Sequence, residues 1–215
     1  GDQQLAAYLA QLKLLGVSAL TNWPSVGHMD GNFRAALEAD GQGLAGEIEA
    51  LRWARGEGFE TFPFAFTPGE AARWAESGAD GLVLVMGVTQ GIADLQEKRD
   101  RLQQAITQLN AMHAAVRGTG RARPCLAYGG PVTTPEDLEL LFRFSNVEGF
   151  AGGSVFERLP LRDITGTTVR RFKSVAASAA GASEEPGLGQ MLGRSPAMAE
   201  LFAMLRRVAP HDVSV

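Results

Sequence analysis

Two glycine clusters, Gly129-Gly130 and Gly152-Gly153-Ser154, each follow a short apolar run and precede a helical pattern. Glycines at such a junction let backbone N–H groups close on an anion, and the N-terminus of the following helix adds a positive dipole. The same glycines also make plain tight turns, and the residues alone leave both readings open. Asp30-Gly31-Asn32-Phe33-Arg34 places a carboxylate and a guanidinium in what reads as one long loop, and long loops on rigid scaffolds carry function. Asp30 can ligate Mg2+ or orient a water, and Arg34 can pair bidentately with a carboxylate or phosphate. The competing arrangement is an internal Asp30–Arg34 ion pair that pins the loop. Asn22 ends its apolar run and is a candidate hydrogen-bond donor to a ligand, or else a turn former. His28 is a conceivable general base, the role histidine most often fills, or else an ordinary loop histidine. His113, inside a long helical pattern, and His211 have no evident partners in the sequence.

The elements that must position these groups alternate between helix and strand. Leu5, Leu9, Leu12 and Leu15 recur at helical spacing and Gly16 stops that helix, after which Val17–Asn22 reads as a strand. A helix around Ile48–Ala54 leads to a strand at Thr61–Phe66, and a second helix begins at Pro68 and ends at Gly78. The unbroken apolar run Gly81–Gly87 predicts a strand buried on both faces. Asp94 caps a helix to about Val116, Pro124–Tyr128 is the next strand, and Thr134-Pro135 opens another helix. Val147–Gly153 is the fifth strand and Leu161–Val175 the closing helix. Strands separated by helices imply a parallel sheet, either an arc of a (β/α)8 barrel or an open doubly wound sheet.

Bulk properties narrow the field. A chain of 215 residues holds one good-sized core and an appendage. A formal charge of −4 argues against bulk binding to nucleic acid or an anionic membrane. The single cysteine, Cys125, excludes an internal disulfide, and with three scattered histidines it excludes a Cys/His zinc cluster. That usage fits a reducing cytoplasm. No apolar run reaches membrane-spanning length, and Gly1-Asp2-Gln3-Gln4 lacks the basic and apolar regions of a signal peptide. The Ala, Ser, Gly, Glu and Pro of Ala176–Gly189 compose a linker.

Beyond that linker, Gly193-Arg194-Ser195-Pro196-Ala197-Met198 is followed by an amphipathic pattern and then Val208-Ala209-Pro210. This stretch, residues 190–215, resembles the opening of a sigma-54-activator AAA+ ATPase domain. The resemblance implies a strand running into a phosphate-binding loop that holds ATP. The chain stops at Val215, ahead of that loop. It is therefore expected to be a fragment, with residues 1–175 the regulatory input to an ATPase.

Residues 5–175 carry a second resemblance. Asn22-Trp23-Pro24-Ser25-Val26-Gly27-His28-Met29-Asp30-Gly31-Asn32-Phe33-Arg34 is similar to the Asn-Phe-Pro-Thr-Val-Gly-x-x-Asp-Gly-x-Phe-Arg of the phosphoenolpyruvate and phosphonopyruvate hydrolase-like TIM-barrel signal-transduction family. Leu37-Glu38, Gly41-Gln42-Gly43, Met86-Gly87, Gly129-Gly130-Pro131 and Gly152 through Pro160 follow in register. The resemblance implies an α/β fold, the C-terminal five βα units of a (β/α)8 barrel whose first three units precede Gly1. It turns Asn22, Arg34, Gly129, Gly130, Gly153 and Ser154 into candidate contacts for an anionic ligand. It also places Glu157 and Arg158 at the barrel mouth, Arg158 toward the anion and Glu157 toward a metal or a loop. The competing role for that pair is a charge pair capping the last helix.

Where relatives carry Cys-His-Gly-Gly-Pro and His-Met-Gly, this chain has Ala127-Tyr128-Gly129-Gly130-Pro131 and Val85-Met86-Gly87. Two groups able to transfer protons are thereby replaced. The expectation is a sensor of a small phosphorylated or carboxylated metabolite in a cytoplasmic sigma-54-dependent activator. Sigma-54 RNA polymerase would be contacted through the AAA+ part of a homo-oligomeric parent. The alternative is a Mg2+-assisted hydrolase of phosphonopyruvate, phosphoenolpyruvate or a related C3 phospho-acid, with Asp30 and Glu157 on the metal. A barrel lacking three strands exposes two sheet edges, so the isolated chain is expected to be poorly soluble; a sharp cooperative melt of a monodisperse sample would contradict this.

Overall fold

The computed structural model describes residues 2–157 and 163–179. Helix α1, Asp2–Leu14, leads through Gly16 (φ +80°) into strand β1, Ala19–Leu20. The stretch read as a long loop is largely helical: a 3-10 turn at Val26–His28 precedes helix α2, Gly31–Ala39, and Asp30 occupies the N-cap position of α2. Arg34 therefore stands on a helix, not on a loop. Helix α3, Leu44–Gly56, buries Leu44, Ile48, Leu51 and Ala54 along one stripe.

The strand expected at Thr61–Phe66 is divided into β2, Glu60–Thr61, and β3, Phe64–Ala65. Pro63 has no N–H to give a ladder. Its carbonyl still accepts from Val83 N at 2.9 Å, while Phe62 N donates to Leu20 O at 3.0 Å. One pass of chain thus pairs with β1 through its first half and with β4, Leu82–Val85, through its second. β4 continues to β5, Cys125–Tyr128, and β5 to β6, Gly149–Ala151. Every pairing is parallel and follows chain order.

Helices α4 (Pro68–Ser77), α5 (Leu95–Gly118) and α6 (Pro135–Phe144) form the crossovers between β3, β4, β5 and β6, and the short α7, Ser154–Glu157, and α8, Asp163–Ala179, follow β6. Their boundaries follow local chemistry. Thr67, Asp94 and Thr134 each accept from the backbone N–H three residues on, and Thr134 with Asp137 completes a reciprocal capping box. Gly78 closes α4 in the left-handed region. Helix α8 continues to Ala179, so the first residues of the expected linker are helical; the rest of it, and residues 190–215, lie outside the described residues.

The register assigns the sheet's two faces. Ala65, Leu84 and Ala127 lie side by side and join Leu82, Cys125, Trp74, Leu109, Met112 and Leu141 in the main core beneath the helices. Phe64, Val83 and Leu126 form the adjacent row, whose side chains alternate to the opposite face. Burying a large apolar side chain stabilises by roughly 1.5–3 kcal/mol, so the helix-covered face dominates the energetics. Among the described residues no helix is long and apolar enough to cross a membrane.

Candidate functional site

The carboxyl ends of the parallel strands gather most of the candidate residues. Asn22, two residues past β1, uses its side-chain amide as a substitute peptide: Oδ1 accepts from Phe64 N at 2.7 Å and Nδ2 approaches Phe64 O at 3.3 Å. The Nδ2 group also donates to Glu47 Oε2 at 2.7 Å and to Ser25 Oγ at 3.1 Å. The amide hydrogens expected to reach a ligand are committed within the protein. Glu47, on α3, gathers this corner, accepting also from Ser25 Oγ at 3.0 Å and from Val26 N at 2.6 Å. Glu47 was missed in the sequence because nothing local distinguishes it from a solvent-facing helix glutamate.

Arg34 does not pair with Asp30. Its Nη2 donates to Glu70 Oε1 at 2.7 Å, and its Nε lies 3.9 Å from Glu38 Oε1. Glu70 is buried in the first turn of α4, and its Oε2 accepts from Phe66 N at 2.9 Å. The hydrogen bond to Glu70 holds the Arg34 guanidinium above its usual pKa despite partial desolvation. Glu70 follows Thr67 at capping-box spacing, so a role at the helix start was legible, but its partnership with Arg34 was not. Asp30 is exposed and makes no capping hydrogen bond.

The glycine pair after β5 serves a close backbone crossing. Gly129 (φ +75°) and Gly130 (φ +64°) both lie in the left-handed region. A Cβ on Gly129 would stand 2.3 Å from Gly87 O, and one on Gly130 would stand 2.7 Å from Met86 Cβ. Gly130 N donates to Gly87 O at 2.9 Å, so that N–H is committed to the neighbouring loop and not to an anion. After β6, Gly152 and Gly153 lead into α7, which begins at Ser154 and ends at the exposed Glu157. Arg158 lies outside the described residues.

Between these corners stands an aromatic cluster. The Trp23 ring centroid is 4.5 Å from His28, 4.8 Å from Phe64 and 5.9 Å from Tyr128. Phe64 and Tyr128 meet edge to face at 5.1 Å, and His28 meets Phe66 likewise at 4.5 Å. Aromatic pairs in such geometry contribute about 0.5–1.5 kcal/mol beyond burial. Gly27 and Gly153 make room for it: a Cβ on Gly27 would enter the Phe66 ring, and one on Gly153 would stand 2.9 Å from Tyr128 Oη. Trp23 remains 48% exposed, so the cluster presents an accessible aromatic face beside polar corners.

For Mg2+, the carboxylates of Asp30 and Glu157 are chemically suitable hard donors. Among the described residues, however, neither belongs to a set of three or more metal-ligating side chains. His113 does have company: its Nε2 lies 3.8 Å from Glu148 Oε1.

Residues 2–175 match the model of the phosphoenolpyruvate hydrolase-like family. The ToMV susceptible protein tm-1(GCR26) of tomato, Solanum lycopersicum, is 36% identical over 170 residues, 79% of this chain and 22% of the tomato protein. Protein y4pA of Sinorhizobium fredii, provisionally described as a transcriptional regulatory protein, is 29% identical over 171 residues, 80% of this chain and 28% of its own length. The chain thus spans well under two thirds of these relatives. A solved structure described as native KDPGal superposes with a TM-score of 0.40 at 17% identity, over 85% of this chain and 92% of that one, a likeness too distant to argue from. With the match running through nearly all of the helix–strand alternation and the strand-end glycines, the chain belongs to the phosphoenolpyruvate hydrolase-like family.

Proposed function

We propose that this chain is the ligand-sensing part of a bacterial sigma-54-dependent transcription activator, binding a small phosphorylated or carboxylated metabolite at the strand carboxyl ends. The observation that carries this reading is the aromatic cluster around Tyr128. At the position where relatives carry a strand-end histidine, Tyr128 packs against Phe64 and Trp23. A packed phenol is a weaker proton shuttle than the imidazole it replaces, whereas a half-exposed aromatic face suits ligand binding. The kinship with y4pA supports a regulatory setting.

In this reading the five parallel passes are the last five units of a (β/α)8 barrel, completed by three preceding units. Residues 176–189 link the barrel to the start of an AAA+ module in residues 190–215. ATP, sigma-54 RNA polymerase and homo-oligomer formation belong to that module, and the whole protein is cytoplasmic. The ligand acts by preferring one of two arrangements of barrel and ATPase. Moving such a population from 1:99 to 99:1 takes about 5.5 kcal/mol of preference.

The second reading is hydrolysis of a C3 phospho-acid, which the family description itself favours. Arg34 and the Gly152–Ser154 turn would then hold the phosphate, with Asp30 and Glu157 as the acidic groups. Phosphorus NMR of the full-length protein with phosphoenolpyruvate, then phosphonopyruvate, with and without Mg2+, separates the two. Broadening or shift of the ligand signal without turnover is the expected result. Catalytic release of inorganic phosphate that is lost on Asp30→Ala overturns the sensor reading in favour of the enzyme.

A further inference from the structure

At the amino ends of the strands, opposite the aromatic cluster, three elements bring together three side chains of metal-ligating type. His113 comes from α5, Cys125 opens β5, and Glu148 immediately precedes β6. Their ligand atoms all lie within 4.8 Å of one another. The carboxylate is fixed between the other two: Oε2 accepts from Cys125 N at 2.8 Å, and Oε1 lies 3.8 Å from His113 Nε2. Glu148 N in turn donates to Cys125 O at 2.9 Å, so the carboxylate and the thiol sit on one rigid pair of strands. Cys125 is fully buried, and the His113 and Glu148 side chains are only 14% and 15% exposed.

We propose that His113, Cys125 and Glu148 form a binding site for a borderline-soft divalent cation of the Zn2+ type, with a fourth position open to water. The chemistry of the set selects the metal: one sulfur, one imidazole nitrogen and one carboxylate oxygen suit Zn2+ or Co2+ and disfavour Mg2+ or Ca2+. Neighbouring ligands on a tetrahedral Zn2+ stand about 3.5 Å apart, so the site closes by rotamer adjustments of about an ångström. Without metal, burial and the Glu148 charge push the Cys125 thiol up to about 12. A cation at the centre removes that penalty by neutralising both anions, and binding releases the thiol proton. Arg117, whose charge favours the thiolate, lies near enough to assist that ionisation. The bound ion would brace α5 against the β5–β6 ladder at the end of the sheet remote from ligand. The site is independent of the proposed sensor function.

The test is titration of the reduced full-length protein with Co2+, followed by absorption. Tetrahedral Co2+ with a thiolate ligand gives a sulfur-to-metal charge-transfer band and intense visible bands, both of which stoichiometric Zn2+ should abolish. Cys125→Ser should lose the charge-transfer band. Glu148→Gln, which keeps an acceptor for Cys125 N–H, should weaken Co2+ binding at least tenfold. Absence of a thiolate band in the unsubstituted protein, which involves no folding risk, overturns the proposal. So does a band that persists unchanged in Cys125→Ser, because it would belong to another thiol.

Discussion

Arg34 Nη2 lies 2.7 Å from Glu70 Oε1, and the other oxygen of Glu70 holds Phe66 N at 2.9 Å. A single buried carboxylate therefore joins helix α2, the end of β3 and the start of α4. It also neutralises the cation that α2 would offer to a ligand. Truncation by Glu70→Ala leaves Phe66 N without its acceptor and Arg34 without its partner, and should cost about 2 kcal/mol of stability by urea denaturation. The partial exposure of Arg34 keeps the figure at this modest level. Glu70→Gln keeps the shape and removes the charge, so it should free Arg34 and tighten binding of an anion such as phosphoenolpyruvate. Unchanged or weaker binding in Glu70→Gln would exclude Arg34 from the ligand contact.

The glycine pair after β5 makes a second prediction. Gly129→Ala and Gly130→Ala each place a side chain in the left-handed region, at a cost of about 1 kcal/mol from backbone strain alone. Gly129→Ala adds a clash with the Gly87 carbonyl oxygen at 2.3 Å, whereas Gly130→Ala meets Met86 Cβ, equally fixed to the backbone, at the less severe 2.7 Å. Thermal melts should therefore rank Gly129→Ala as the more damaging change. The reverse order would mean that the β4 loop can move away and that the crossing is not rigid.

How legible this was in the sequence depends on the range of each interaction. Caps and turns are local, so Pro68, Asp94, Thr134 and Gly78 set helix ends that the structure reproduces within a few residues. The apolar run around Leu82–Val85 likewise read directly as a strand buried on both faces. Pro63 was visible but its effect was not, because dividing a strand between two partners is a property of the sheet. The Asp30–Arg34 segment was misjudged for the same reason. Its helix buries no residue, so periodicity gave no signal. The partner of Arg34 is 36 residues away. His113 illustrates the point again, since Glu148 and Cys125 reach it only through the parallel ladder.

Cys125 gives a pH prediction whose direction follows from its thiol. Burial raises the folded-state value from 9.0 to about 12, with Glu148 adding to the rise and Arg117 opposing it. Between those two values the unfolded chain has lost a proton that the folded chain retains, so stability falls as pH rises. The contribution is complete below pH 9 and declines toward pH 12, by at most about 1.4 kcal/mol per unit. In the presence of a chelator, Cys125→Ala should remove this alkaline loss from urea midpoints measured across the range. Below pH 9 the thiol should react with a disulfide reagent only as fast as the protein opens. Rapid labelling of the native protein at neutral pH would contradict the burial argument.

Asn22 supplies the last test because its two proposed roles respond differently to substitution. In the structure its amide donates to Glu47 at 2.7 Å and accepts from Phe64 N at 2.7 Å. Asn22→Asp keeps the acceptor for Phe64 N but turns the donor facing Glu47 into a second carboxylate. It should destabilise the fold by about 2–3 kcal/mol, through a lost charge-assisted bond and a close like-charge contact. Adding Glu47→Gln supplies an amide that can donate to Asp at position 22, so the double variant should recover more than half of that loss. A ligand-facing Asn22 would behave otherwise: Asn22→Asp would then leave the melt unchanged and weaken only anion binding. Calorimetry of the three variants without ligand decides between these outcomes, because only the structural role predicts coupling between residues 22 and 47 in its absence.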